Sequence, residues 1–115
     1  MVKKIRQKFE LLKNKKRHTF DDLDSVIRRC LNDYGHLFPN WRVNPNGSRF
    51  VYHFNVESLS PISLEKEHGS REFVPHYYAK LAINGIDDLI TYIEATVDME
   101  SAGSQSDDRD DDSEG

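Results

Sequence analysis

Two histidines, His53 and His76, are the side chains of this sequence best suited to acid–base chemistry. Each lies in a segment where apolar and polar residues alternate, "RFVYHFNV" and "HYYAKLAI", and such alternation predicts β-strands. If these strands are neighbours, both imidazoles share one face with Arg49 and Lys80. Paired imidazoles beside cations can cleave RNA, because the rings exchange protons while the cations stabilise the phosphorane. A small ribonuclease is therefore one hypothesis, and two ordinary surface histidines are the simpler interpretation.

The other reactive residue types form no catalytic or cofactor motif. Cys30 falls on the apolar stripe of a predicted helix, which favours a core filler over a nucleophile. No histidine pair has metal-ligand spacing, and "HGSRE" offers only His68 and Glu72 at a turn. The sequence has neither a glycine-rich phosphate loop nor a serine elbow. We therefore predict no metal and no cofactor, and the balance of the sequence is against an enzyme.

Charge is concentrated at the two ends of the 115 residues. Residues 1–17 contain eight Lys or Arg and one acid, whereas residues 97–115 contain eight acids and one Arg. We expect 1–17 to form a basic amphipathic arm with Ile5, Phe9 and Leu12 on a narrow apolar stripe. Residues 100–115 bury too little apolar surface to fold and are expected to be a disordered acidic tail. A single domain would then span residues 18–99.

The composition also predicts the compartment. No segment approaches the roughly 20 uninterrupted apolar residues that a membrane span needs, and the N-terminus lacks the apolar run of a secretory signal. Cys30 is the only cysteine, so an internal disulfide framework is excluded, as is typical of reducing compartments. We therefore expect a cytoplasmic protein that binds no membrane.

Local patterns predict the order helix, hairpin, strand, helix. Thr19 and Asp22 have the spacing of a capping box, and apolar residues recur at helical spacing from Phe20 to Tyr34. Asn-Gly in "NPNGS" separates two alternating segments and predicts a hairpin. Residues 57–75 remain open between a small hairpin, "ISLEKE" with "REFV", and a long loop. A third strand at 76–83 and a helix starting in "GIDD", with two carboxylates in its first turn, complete the order.

This order predicts an α+β fold in which one small antiparallel sheet of about three strands has helices packed on one face. The covered face would carry seven apolar residues: Trp41, Val43, Phe50, Phe54, Tyr77, Leu81 and Ile83. The open face would carry ten residues with three firm positive charges and no acid: Arg42, Asn44, Arg49, Val51, His53, Asn55, His76, Tyr78, Lys80 and Ala82. Open sheet faces often carry such residues for solubility alone, but the same set suits anion or nucleic-acid binding.

The α-β-β-β-α order over roughly residues 19–99 is similar to that of double-stranded RNA-binding domains. In that family a Gly-Pro-x-His hairpin loop enters a minor groove, and lysines at the start of the second helix contact phosphates. Here the corresponding segments read "NPNGS" and "GIDD". The resemblance is therefore one of element order, and it assigns no family.

The leading prediction is a small non-catalytic interaction or regulatory module whose open face and basic arm bind a macromolecule. A protein partner is slightly favoured over nucleic acid, because residues 18–96 are net acidic and the second helix begins with carboxylates. The alternative is a nucleic-acid-binding protein whose tethered acidic tail masks its own basic surfaces. A homodimer that pairs open faces or edge strands is a further possibility. The predicted binding residues are Arg42, Arg49, His53, Tyr78, Lys80, Lys3, Lys4, Arg6, Lys15, Lys16 and Arg17.

Overall fold

The computed structural model of the chain describes residues 2–66 and 73–104. Its helices are α1 (Val2–Lys13), α2 (Phe20–Tyr34) and α3 (His76–Ser104), with a short 3-10 helix at Gly35–Leu37. Its strands are β1 (Arg42–Asn46), β2 (Arg49–His53) and β3 (Ile62–Glu65), which form one antiparallel sheet in the order β1-β2-β3. The α+β class and the α-β-β-β-α order behind a basic N-terminal helix are confirmed. Residues 105–115, most of the predicted acidic tail, lie outside the described residues.

The predicted capping box starts α2. The Asp22 backbone N–H donates to Thr19 Oγ1 at 3.1 Å, and the Thr19 N–H donates to Asp22 Oδ2 at 3.2 Å. Burial alone would raise the pKa of Asp22, but the hydrogen bonds from Thr19 and Lys15 lower it overall. Two N–H groups at the helix start are thereby satisfied. The helix then buries one stripe against the core, from Phe20 to Tyr34.

The predicted hairpin is also confirmed. Gly47 adopts a φ of +66°, which glycine reaches without strain, and β1 and β2 pair antiparallel on either side of it. Tyr52 and Phe54 are buried as the alternation requires, and the Tyr52 hydroxyl donates to Asp24 on α2. Trp41 does not join the covered face as expected; it precedes β1 and is 37% exposed.

The third strand is not the predicted segment 76–83. Those residues form the first two turns of α3, and "ISLE" supplies β3 by pairing with β2. Eight residues are too few to distinguish a strand pattern from a helix pattern. The helical spacing of apolar residues continues beyond residue 83, and this longer pattern determines the conformation of the segment. Tyr77 and Leu81, predicted to be covered, are 67% and 52% exposed. The buried positions of α3 recur at helical spacing: Ala79, Ala82, Ile86, Leu89, Ile90 and Ile93.

Gly85, predicted to lie at the start of a helix, lies inside α3 and brings that helix close to β3. A Cβ at this position would lie 2.9 Å from Cγ1 of Ile62, closer than two side chains can approach. The glycine therefore allows the middle of α3 to pack directly on the first residue of β3. This contact sets where the N-terminal half of α3 lies relative to the sheet.

The basic N-terminal helix is part of the core. Ile5, Phe9 and Leu12 are 2%, 0% and 7% exposed, and α1 packs against both α2 and α3. The Arg6 guanidinium donates to Glu94 from Nε at 3.0 Å and from Nη2 at 2.8 Å, and to Asp87 from Nη1 at 2.8 Å. Asp87 thus lies in the middle of α3 opposite a cation, and not in the first turn of a helix.

Replacing Arg6 with alanine should lower the free energy of unfolding by about 1–2 kcal/mol, because Glu94 and Asp87 lose charge-assisted hydrogen bonds. Urea unfolding followed by circular dichroism measures the change. Lys4→Ala is the matched control, since Lys4 is an exposed cation of the same helix and should change stability by less than about 0.5 kcal/mol. Equal effects in both variants would contradict the assigned role of Arg6.

Candidate functional site

The open face of the sheet carries the predicted residues of the hairpin. Arg42 lies directly opposite His53, and Asn44 lies opposite Val51, so these four side chains project from one face with Arg49. The strand phase predicted for β1 and β2 is therefore correct. Since β3 replaces the predicted strand, Ser63 and Glu65 complete this face in place of His76, Tyr78, Lys80 and Ala82.

Glu65 changes the charge of this face. Its carboxylate accepts a hydrogen bond from Arg49 Nε at 2.6 Å, and this bond, followed by the attraction between the two charges, raises the pKa of Arg49. The face was predicted to carry three firm cations and no acid. Of those three, Arg49 is neutralised by Glu65 and Lys80 lies elsewhere, which leaves Arg42. The case for a broad anion-binding sheet face is correspondingly weak.

Tyr78 and Lys80 lie on different sides of α3. Two residues along a helix correspond to about 200° of rotation, so the two side chains diverge. Tyr78 lies beside Arg49 and Glu65, close enough to raise the pKa of Arg49 slightly. The structure therefore brings Tyr78 to the edge of the open face, although from a helix, and places Lys80 elsewhere.

The two candidate catalytic histidines are separated. His76 is the first residue of α3, which begins near the Arg49 end of β2, whereas His53 lies at the other end of that strand. Arg49 and His53 are four residues apart, or about 13 Å along a strand. The side-by-side arrangement required for general acid–base cleavage is therefore absent from this fold.

The basic residues of the N-terminal segment have different environments. Lys3 and Lys4 are exposed on α1, while Arg6 is held by α3. Lys15 contacts Asp22 with its Nζ at 3.2 Å. The two remaining predicted binding residues, Lys16 and Arg17, line a separate small cavity beside the start of α3.

A groove of about 460 Å³ lies between β3 and the N-terminal half of α3. Its strand wall includes Ile62, Ser63 and Glu65, and its helix wall includes Tyr78, Leu81 and Asp88. Tyr78 is 47% exposed and Leu81 is 52% exposed, so the helix wall presents a large apolar surface. Exposed aromatic and aliphatic side chains that line a groove are typical of binding surfaces.

Two residues of β3 direct their backbone N–H and C=O groups outward, on the side of this groove. The Lys66 N–H donates to the Ser48 carbonyl at 2.7 Å, which makes 48 and 66 a hydrogen-bonded pair of the antiparallel ladder. Such pairs alternate, so Ile62 and Leu64 bond to β2, whereas the N–H and C=O groups of Ser63 and Glu65 point outward. Within residues 2–66 and 73–104, these four groups have no backbone partner.

The opposite edge of the sheet is less suited to pairing. By the same alternation, the outward-facing residues of β1 are Val43 and Pro45. Proline has no N–H to donate, and proline on an edge strand is a common protection against pairing. Among the described strands, only β3 therefore has two outward-facing residues that can each donate and accept a main-chain hydrogen bond.

The groove differs from the predicted site because it depends on the long-range packing of α3 against β3. Tyr78, Leu81, Gly85 and Asp88 lie on one flank of α3, at spacings of three and four. Since β3 is the last strand of the sheet, nothing in the described part of the chain continues the sheet beneath this flank. One feature of the sequence could have indicated this groove: "HYYAKLAI" has more large apolar residues than one buried helical stripe requires.

Cys30 is a buried core residue at some distance from this groove. Burial, followed by the charge of Asp33, raises the pKa of its thiol to about 12. Burial and the hydrogen bond to Asp24 also raise the pKa of Tyr52. Both groups are neutral in the folded chain near neutral pH, which argues against Cys30 as a thiolate nucleophile.

The chain should lose stability in alkaline solution. A thiol of the unfolded chain ionises near pH 9, whereas Cys30 resists ionisation to about pH 12 when folded. Its contribution is therefore present below pH 9 and is lost as the pH rises above 9, by roughly 1 kcal/mol for each pH unit. Urea unfolding at a series of pH values measures this slope. Cys30→Ala should flatten it, and an unchanged slope in that variant would contradict the assignment.

The described residues contain neither a metal-binding cluster nor a membrane-spanning helix. In residues 2–66 and 73–104, no group of three or more His, Cys, Asp or Glu side chains is arranged to hold a metal ion. Across the same ranges, no helix combines the length and the apolar character that crossing a membrane requires. A scan against protein-family models, a search of curated proteins and a search of solved structures each found no match.

Proposed function

We propose that the chain is a non-catalytic protein-binding module that receives an extended segment of a partner protein as a fourth strand on β3. The observation that carries this proposal is the outward-facing backbone of Ser63 and Glu65 beside the apolar flank of α3. An added strand lies about 4.8 Å from its neighbour and exchanges main-chain hydrogen bonds with it. Its side chains on one face would then pack on Tyr78 and Leu81.

The two faces of the added strand would meet different surroundings. Side chains directed toward the helices would enter the groove against Leu81 and Ile62, so apolar residues fit there. Side chains on the other face would lie beside the Arg49–Glu65 ion pair and remain near water. The partner segment should therefore alternate apolar and polar residues.

Charge adds a second requirement for the partner. Arg49 and Glu65 neutralise each other, whereas Asp88 forms no ion pair with any residue of the described chain. A lysine or arginine of the partner that reaches Asp88 would complement this charge. The expected ligand is thus an extended peptide with alternating apolar residues and one basic residue.

Nucleic acid fits this groove less well than protein does. Phosphates would meet Glu65 and Asp88, and among the described residues that line the groove the single cation is Arg49, which is already paired. The structure also removes one earlier reason for favouring protein, since Asp87 and Asp88 do not begin a helix. The preference for protein now rests on the strand edge and on the charge of the groove.

Selection from a displayed library of random eight-residue peptides on the immobilised full chain tests the proposal. We expect enriched peptides with apolar residues at alternate positions, and we expect Leu81→Ser to weaken their binding at least tenfold. Leu11→Ser is the control, since Leu11 is 74% exposed on α1, away from the groove. Failure to enrich alternating peptides, or equal binding by Leu81→Ser, would contradict the proposal.

Sedimentation velocity on the full chain tests whether a second copy of the chain is the occupant. A monomer is the expected result. A dimer that Ser63→Pro dissociates would mean that β3 pairs with its own copy, and would contradict an external partner.

A further inference from the structure

A second cavity, of about 290 Å³, lies on the other side of the start of α3 from the strand groove. Four of its lining residues carry basic or imidazole groups: Lys16, Arg17, His18 and His76. Phe73 and Val74 contribute apolar surface, and no acidic residue is among the described residues that line it. The first turn of α3 also contains no acid.

Arg17 is the best-placed cation of this cavity. Its guanidinium carbon lies 5.2 Å from the centre of the Phe73 ring, so a cation–π contact orients the group. It forms no ion pair with any described residue. Four other arginines, by contrast, form ion pairs with carboxylates: Arg6, Arg28, Arg29 and Arg49.

The walls of the cavity are tied together. The Val74 N–H donates to the His18 carbonyl at 2.7 Å, which joins residues 16–18 to the segment before α3. His18 is 6% exposed, and its Nε2 donates to the Leu12 carbonyl at 2.7 Å. The basic groups are therefore attached to fixed backbone and not to a mobile arm.

We propose that this cavity binds a phosphate monoester. An anion in it would meet the Lys16 ammonium and the Arg17 guanidinium, with the imidazole of His76 at the same opening. A guanidinium donates two parallel hydrogen bonds to a phosphoryl group, and a neighbouring ammonium adds charge without a fixed direction. The adjoining apolar surface of Phe73 and Val74 suits the carbon skeleton that carries the phosphate.

The sequence placed Lys16 and Arg17 in a basic arm predicted to bind a macromolecule. In the structure, these two residues line a compact cavity and not a long basic surface. The cavity is large enough for one phosphoryl group and a small attached moiety. This inference stands on the cavity and its charges, and it does not depend on strand addition at β3.

Titration of the full chain with phenyl phosphate at constant ionic strength tests the proposal, with amide and side-chain NMR shifts as the readout. We expect saturable shifts at Arg17, Phe73 and His76, and a loss of affinity of about tenfold in Arg17→Ala. Lys8→Ala removes an equal charge from the exposed side of α1 and should change affinity less than twofold. Shifts that do not saturate, or equal affinity in wild type and in Lys16→Ala/Arg17→Ala, would overturn the proposal.

Two further ligands distinguish the source of the phosphate. A short phosphoserine peptide that binds at least tenfold more tightly than phenyl phosphate would identify a phosphorylated protein, whereas equal affinities would identify a small phosphorylated metabolite. Either result supports the site. Binding of the unphosphorylated peptide with the same affinity as its phosphorylated form would contradict it.

Discussion

A chain in which Phe9 is replaced with alanine should lose about 3–5 kcal/mol of its free energy of unfolding. Phe9 is fully buried, and with Ile5 and Leu12 it joins α1 to α2 and α3. Removing its ring leaves a cavity between three helices that cannot all move to close it. A domain of this size commonly has 5–15 kcal/mol of stability in total, so the variant would be close to unfolding.

Urea unfolding monitored by circular dichroism and by the fluorescence of Trp41 measures this loss. Leu11→Ala is the matched control, because Leu11 lies on the same helix but is 74% exposed. It should change stability by less than about 0.5 kcal/mol. A mobile basic arm would give small effects in both variants, and that outcome would contradict the docked helix.

The largest expected effect on binding is that of Ser63→Pro. The Ser63 N–H points away from β2, so proline removes a donor from the outer edge without breaking the β2–β3 ladder. The pyrrolidine ring would also occupy the position where an added strand must approach. We expect the affinity for a library-selected peptide to fall at least tenfold, while the free energy of unfolding stays within about 1 kcal/mol.

Ser63→Ala separates the backbone from the side chain. It removes the hydroxyl and keeps the N–H, so its affinity for the same peptide should stay within about twofold of wild type. Isothermal titration calorimetry on the three proteins gives the comparison. If Ser63→Ala weakened binding as much as Ser63→Pro, the side chain would be the recognised group, and strand addition would be wrong.

Elements with local signals could be predicted from the sequence. The Thr19–Asp22 capping box and the Asn46-Gly47 turn involve neighbours in the chain, so their geometry is encoded locally. The phase of the hairpin was also correct, since Tyr52 and Phe54 alternate with Arg49 and His53. The strand predicted at 76–83 was wrong, because the apolar residues there fit both a strand and a helix. Packing against Ile62 at Gly85 stabilises the helix.

The candidate site was harder to predict, because its parts are distant in the chain. The ion pair between Arg49 and Glu65 requires that "ISLE" be a strand, which its sequence left open. The groove requires α3 to lie beside that strand. Arg49, Tyr78 and Lys80 were predicted to share one sheet face. Tyr78 lies beside Arg49 but comes from a helix, and Lys80 lies elsewhere, because residues two apart face the same side of a strand but different sides of a helix.

The central claim is that β3 accepts a fourth strand, and hydrogen exchange at its backbone tests it most directly. Without peptide, the amides of Leu64 and Lys66 should exchange slowly, because the first bonds to β2 and the second to the Ser48 carbonyl, whereas those of Ser63 and Glu65 should exchange fast. Saturation with a library-selected peptide should protect Ser63 and Glu65 at least tenfold. Protection that leaves these two amides unchanged while the peptide is bound would contradict strand addition at this edge.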